Sequence, residues 1–325
     1  MDNKTFIAYS IKGSRNKKNK RMNIDIKKIL IILIGILLIV LNVVPFITMQ
    51  KFINFHVKYN EIYRAEDYGL YSERVMLKTS DGINIFAHEV FTDNPKAVII
   101  FLTGIHNPSV TAYFGHSKML YDQGYASFLL DLRAHGESEG KVIGLGYKEH
   151  LDVRALVDYI KSNDKYLDVP IVIYGASMGG ATAINSFGLM PEIHGLISVS
   201  AYSSWDDVFT EALINMNIPR VLAYLQKPFM KLHTTFKYGI GSARITPINQ
   251  IKNVGDRPAL IMHSTGDTEV QLSNYERLIK KAPSHVESWV REGDSHFVVQ
   301  RDKLLTPYED QDYSKQIINF LNKNF

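Results

Sequence analysis

The sequence predicts an α/β fold: a mostly parallel sheet with helices on both faces, preceded by one membrane-spanning helix. Three observations carry this. Short, continuously apolar runs recur along residues 71–325, segments with helical patterning separate them, and residues 29–50 form one uncharged apolar block. Strands that are apolar throughout are buried on both sides, as in a parallel sheet sandwiched between helices.

The N-terminal part sets the location. Residues 1–28 hold nine Lys or Arg against Asp2 and Asp25, a net of +7, so the rest of the +4 chain carries −3. A basic stretch of this kind suggests nucleic acid, but the apolar block that follows it answers that reading. Residues 29–50 would make a helix about 33 Å long, enough for a bilayer core. The exit, Val44-Pro45-Phe46-Ile47-Thr48-Met49-Gln50, lacks the small-residue site of a cleavable signal, so an uncleaved anchor is expected. Basic residues crowd the near side, which places the N-terminus in the cytoplasm and residues 51–325 outside. Residues 51–70 read as a membrane-proximal connector.

The strands follow in order. Arg74–Leu77 and Ile83–Ala87 flank the turn Ser80-Asp81-Gly82, a hairpin signal. Further runs are Ala97–Leu102, Tyr125–Leu130, Ile171–Tyr174, Leu196–Val199, Ala259–Met262 and Glu287–Val290. Helical patterns fall at 110–122, 147–162, 180–188, 271–281 and 310–323. Residues 202–245 break this rhythm. The segment is too long for a plain loop and holds Trp205, Phe209, Met216, Tyr224, Phe229, Met230, Phe236 and Tyr238. It reads either as an ordinary helical layer or as a cap over the carboxyl ends of the strands.

The chain has no cysteine, which excludes disulfides, thiolate metal sites and a cysteine nucleophile. What remains for nucleophilic chemistry is Gly175-Ala176-Ser177-Met178-Gly179. Here an apolar strand meets a run of small helix formers, with a serine at the turn. Such an elbow exposes the hydroxyl, and glycines flank it because side chains there would collide. The pattern arises by chance in roughly one chain in ten of this length, and a glycine-rich turn with a capping serine is the plain alternative.

The downstream residues weigh against chance. A serine nucleophile needs a base and an acid that orients it, in the chain order Ser, Asp or Glu, His for an elbow-type sheet. Asp267 follows the run Ala259–Met262, and His296 follows Glu287–Val290. Loops at one end of a parallel sheet converge, so Ser177, Asp267 and His296 are expected to meet. Asp294 and Glu269 are rival acids; two residues before His296, Asp294 is badly placed to reach that imidazole. Oxyanion stabilisation asks for two N–H donors. Met178, just after the nucleophile, supplies one, and Ile105, in the loop 103–107 after Ala97–Leu102, is expected to supply the other.

These residues resemble the α/β-hydrolase superfamily over about residues 72–324. Within it, the chain is similar to bacterial serine hydrolases grouped with serine aminopeptidases and monoacylglycerol lipases. The stretch Asp131-Leu132-Arg133-Ala134-His135-Gly136-Glu137-Ser138 resembles the family's Asp-x-Arg-Gly-x-Gly-x-Ser loop, which borders the site. His263 to Val270 resembles the His-Gly-x-x-Asp-x-x-Val that presents the acid. Thr103-Gly104 departs from the usual His-Gly, and Ala134 and Ser264 each replace a usual Gly. The resemblance implies an eight-stranded, mostly parallel sheet with a small helical cap inserted at about 202–245 of a domain spanning 71–325. It also implies hydrolysis without metal or cofactor. The expected substrate is a small-molecule or lipid-like carboxylic ester, because the cap is apolar and the anchor keeps the enzyme near lipid. A peptidase on the same triad and a non-catalytic envelope-binding module are the rivals. The sequence carries no signal for oligomeric state.

Overall fold

The computed structural model describes residues 14–106 and 108–325. Part of the expected basic tail, residues 1–13, lies outside the described residues, as does Asn107 of the 103–107 loop. The chain divides into two compact units, residues 1–48 and Met49–Phe325.

The first unit is the greater part of a 40-residue helix, α1 (Ser14–Ile53). Within it Ile26–Ile53 is long and apolar enough to cross a membrane, with a mean hydropathy of 3.1. Pro45 lies inside the helix. Side chains from Ile29 to Ile39 are mostly exposed.

The second unit is built on eight strands: β1 (Glu73–Lys78), β2 (Asn84–Val90), β3 (Val98–Leu102), β4 (Ala126–Asp131), β5 (Ile171–Ala176), β6 (Gly195–Val199), β7 (Ala259–Ser264) and β8 (Glu287–Arg291). They form one sheet in the order β1-β2-β4-β3-β5-β6-β7-β8. β2 is antiparallel to both β1 and β4, and the other neighbours are parallel. The expected sheet is therefore present, mixed at one end. The hairpin between β1 and β2 closes where expected, with Thr79 N–H donating to Ile83 O at 2.9 Å.

Alternation along the strands explains why both faces are covered. Val98, Ile100 and Leu102 of β3 enter one core, while Ile99 and Phe101 enter the other. In β5, Ile171 and Ile173 point one way, and Val172, Tyr174 and Ala176 the other. The first face is covered by α3 (His150–Ser162), α4 (Met178–Leu189) and α8 (Leu272–Ile279), through Leu156, Ile184 and Leu278 among others. The second is covered by α2 (Phe114–Tyr121) and α9 (Gln311–Asn324), through Phe114, Leu120, Ile317 and Phe320.

Residues 202–245 hold α5 (Trp205–Asn215) and α6 (Arg220–Tyr238), followed by a 3-10 turn at Ile240–Arg244 and the short α7 (Pro247–Gln250). The Ser204 hydroxyl caps α5 by accepting from Asp207 N–H at 3.2 Å. The expected helix at 110–122 is a 3-10 turn, Val110–Tyr113, followed by α2. The sheet's outer strands carry charge at their ends: Glu73, Arg74 and Lys78 on β1, Glu287 and Arg291 on β8.

Candidate active site

Ser177 lies between the last residue of β5 and the first of α4, with φ 56° and ψ −121°. An L-residue adopts positive φ only at a cost, which the surroundings must hold in place. Here Ser177 N–H donates to Val199 O at 2.9 Å, and Ser177 O accepts from Ala181 N–H at 3.0 Å. The neighbouring glycines are required by space. A Cβ on Gly175 would sit 2.1 Å from Gly179 O, and one on Gly179 would sit 2.5 Å from both Leu102 O and Thr103 O. The elbow is thus pressed against the end of β3. The side chain of Ser177 makes no capping bond to α4. The plain alternative, a capping serine, does not describe its geometry.

Asp267 and His296 come together from the loops after β7 and β8. His296 Nδ1 is 2.7 Å from Asp267 Oδ2. The other carboxylate oxygen, Oδ1, accepts from Glu269 N–H at 2.9 Å and Val270 N–H at 3.1 Å. The two loops are laced together. Ser264 Oγ donates to Ser295 O at 2.7 Å, and Gly266 N–H donates to Gly293 O at 2.7 Å. His263 Nε2 lies 2.9 Å from Val270 O and 3.8 Å from Asp267 Oδ2. Burial pushes the His263 imidazole below its ordinary value. A neutral ring facing a carbonyl carries its single proton on Nε2, which donates to Val270 O.

His296 Nε2 lies 3.8 Å from Glu269 Oε2, an exposed carboxylate. Among the described residues no hydrogen bond joins Ser177 to His296. Such contacts are commonly long in a free enzyme and close on substrate. The rival acid Asp294 pairs instead with Arg301 at 3.1 Å, both largely exposed. A cavity of about 340 Å³ opens beside the imidazole, lined by Glu269, His296, Phe297, Val299 and Leu304.

Met178 opens α4, so its N–H is among the first four of the helix, which have no partner inside it. Ile105 sits half-buried in the loop after β3, and its carbonyl is held by His135 Nε2. His135 Nδ1 lies 2.8 Å from Arg133 O, so both ring nitrogens face carbonyl oxygens. Arg133 in turn bridges Asp152 and Asp81, each at 2.7 Å. The loop 131–140 therefore ties the turn of the first hairpin to α3 and to the loop bearing Ile105.

One contribution left no mark in the sequence. The Phe52 ring packs 4.7 Å from His106 and 5.5 Å from Trp205, and Phe55 lies 5.2 Å from His106. Backbone pairing fixes this path: Val57 N–H donates to Ala134 O at 2.8 Å and Gly136 N–H to Val57 O at 3.0 Å. No motif marks Phe52, because its place depends on how residues 49–57 cross the sheet end. Among the described residues, no group of three or more His, Cys, Asp or Glu is placed to hold a metal ion.

The overall fold is similar to that of solved structures. An esterase of Pyrococcus furiosus superposes with a TM-score of 0.64 at 22% identity, covering 83% of this chain and 97% of its own. The chain has an α/β-hydrolase fold. The family model described as serine aminopeptidase S33 matches residues 93–237. The Bacillus subtilis protein YqkD is 22% identical over 224 residues, 68% of this chain and 72% of its own. An acylaminoacyl peptidase superposes with a TM-score of 0.57 at 16% identity, over 78% of this chain and 41% of that one.

Proposed function

We propose that this protein is a membrane-anchored serine hydrolase that cleaves carboxylic esters through an acyl-enzyme. The observation that carries the reading is the His296–Asp267 contact, 2.7 Å long, in the loops after β7 and β8, the same end of the parallel strands at which β5 leads into Ser177 at positive φ. In this reading Ser177 Oγ attacks the acyl carbon while His296 takes its proton. Asp267 orients the imidazole and offsets its charge. The N–H groups of Met178 and Ile105 receive the oxyanion. The intermediate collapses, His296 protonates the departing alcohol, and water then releases the acid by the same route. Ile26–Ile53 would serve as the anchor, with the N-terminus cytoplasmic and the α/β domain outside. α5 and α6 would form the cap.

A peptidase reading has its own support. The matching family is described as a serine aminopeptidase, and one similar structure is an acylaminoacyl peptidase. Glu269 offers an exposed carboxylate near His296, where a substrate ammonium can pair.

Fluorophosphonate labelling tests the nucleophile. Wild type should label covalently and Ser177→Ala should not; a folded wild type that stays unlabelled ends the hydrolase reading. Nitrophenyl esters of rising chain length, run beside aminoacyl anilides, separate the two substrates. Ester turnover without anilide turnover is expected.

A further inference from the structure

The cap carries an apolar surface that the proposed chemistry does not use. Nine of the seventeen exposed large hydrophobic side chains described in residues 49–325 fall between Met216 and Ile240. Scattered apolar residues are normal on a surface, but such a concentration marks an interaction site. In α6 it has a helical order. Ala223, Met230, Thr234 and Tyr238 form the buried stripe that seats the helix. Val221, Leu225, Leu232 and Phe236 recur at spacings of four, seven and four residues on the opposite side, all exposed. At about 100° per residue these fall within one outward stripe. α6 is thus apolar on its inner and outer faces; at the same spacing Arg220, Lys227, Lys231 and Lys237 fall on or beside the inner side, where Lys227 pairs with Asp207.

Charge narrows the occupant. Residues 212–245 contain Arg220, Lys227, Lys231, Lys237 and Arg244, and no Asp or Glu. A basic helix with an exposed apolar stripe suits an anionic lipid surface. A second copy suits it poorly, because the segment offers no acid to pair with the exposed cations Arg220, Lys231, Lys237 and Arg244 of its copy. The chain's course points the same way. Asn54, one residue beyond the apolar helix, accepts from Lys237 Nζ of α6 at 3.0 Å, and Phe52 packs on Trp205 at the start of α5.

We infer that the outer face of α6 docks into the surface of an anionic bilayer, with Val221, Leu225, Leu232 and Phe236 entering the acyl boundary. This rests on the membrane reading of Ile26–Ile53 but is separable from it. The docked depth expected of an interfacial helix is about 5–10 Å.

The cysteine-free chain allows a direct test. Val221→Cys, Phe236→Cys, Leu167→Cys and Ile36→Cys, each in the full-length protein, are labelled with an environment-sensitive fluorophore. They are then reconstituted in vesicles of phosphatidylglycerol and phosphatidylcholine containing spin-labelled lipid. Leu167 is exposed and precedes β5, at the sheet end opposite Ser177. Quenching at positions 221 and 236 should be shallow and several-fold stronger than at 167. It should weaken when phosphatidylglycerol is omitted, while quenching at 36 stays deep and unchanged. Positions 221 and 236 quenched no more than 167, with 36 quenched, overturn the docking and leave the anchor standing. Quenching at 236 without quenching at 36 does the reverse, and quenching at neither rejects both. Energy transfer between copies labelled at 236, without lipid quenching, assigns the face to a second copy and also overturns the proposal.

Discussion

Asp267 divides its two carboxylate oxygens between two tasks. Oδ1 is held by two backbone N–H groups, which fixes where the carboxylate sits, and Oδ2 is left to the imidazole of His296. Asp267→Asn keeps the shape and the Oδ1 acceptor but can turn an N–H toward His296 Nδ1, favouring the wrong tautomer. The expected result is a fall of about 10⁴-fold in kcat with the fold retained, read by ester hydrolysis beside thermal unfolding. A drop of tenfold or less would move the acid elsewhere, with Glu269 next in line. That Asp267 and His296 meet was legible in the sequence because each follows an apolar run that must be a strand, while Asp294 pairs with Arg301. The hydrogen bond from Ser264 Oγ to Ser295 O was not legible. It joins residues 31 apart through a hydroxyl where the family usually has glycine.

At the scale of elements, the loop 131–140 fastens the site to the sheet. Arg133 is nearly buried, and its partner Asp152 is fully so. Removing one member of a buried pair strands the other charge, so Arg133→Ala should cost about 3–5 kcal/mol by urea unfolding. Arg133→Lys should recover part of this, since an ammonium cannot reproduce the forked contact. Arg74→Ala breaks an exposed pair with Glu137 and should cost about 1 kcal/mol or less. Equal costs for the two alanine variants would contradict the burial argument. The eight strands were readable because buried strands are apolar throughout. The helix limits were less so: the pattern at 147–162 begins as a turn with Gly146 at φ 77°, and α3 starts only at His150. Periodicity records the face a segment buries, not the residue at which its hydrogen bonds begin.

For the molecule as a whole, the buried Asp131 contributes to a pH dependence of stability. Burial pushes the Asp131 carboxyl up to about 7; the N–H of Glu137 and the charge of His56 oppose the rise, and the charge of Glu137 adds to it. Oδ2 accepts from Glu137 N–H at 2.9 Å, Oδ1 has no partner, and the buried Tyr59 hydroxyl lacks one as well. The folded protein therefore keeps a proton that the unfolded chain, with its carboxyl near 3.8, releases. Stability from this group is full at low pH and is lost as pH rises toward and through about 7. Asp131→Asn retains an acceptor for Glu137 and cannot ionise. Its Tm should exceed that of wild type more at pH 8 than at pH 5, and parallel profiles would show that Asp131 is ionised throughout. The overall fold was legible from alternating patterns, whereas the path of residues 49–57 across the sheet end was not, since it depends on long-range pairing with 134 and 136. The charged ends of β1 and β8 bear on crowding. In the proposed reading a membrane tether would confine molecules to a plane, where open strand edges meet far more often than in bulk solution. Arginine and glutamate on both outer strands, with Lys78 on β1, make edge-to-edge growth of the sheet costly, so dense patches of this protein would remain separate folded molecules instead of seeding fibrils.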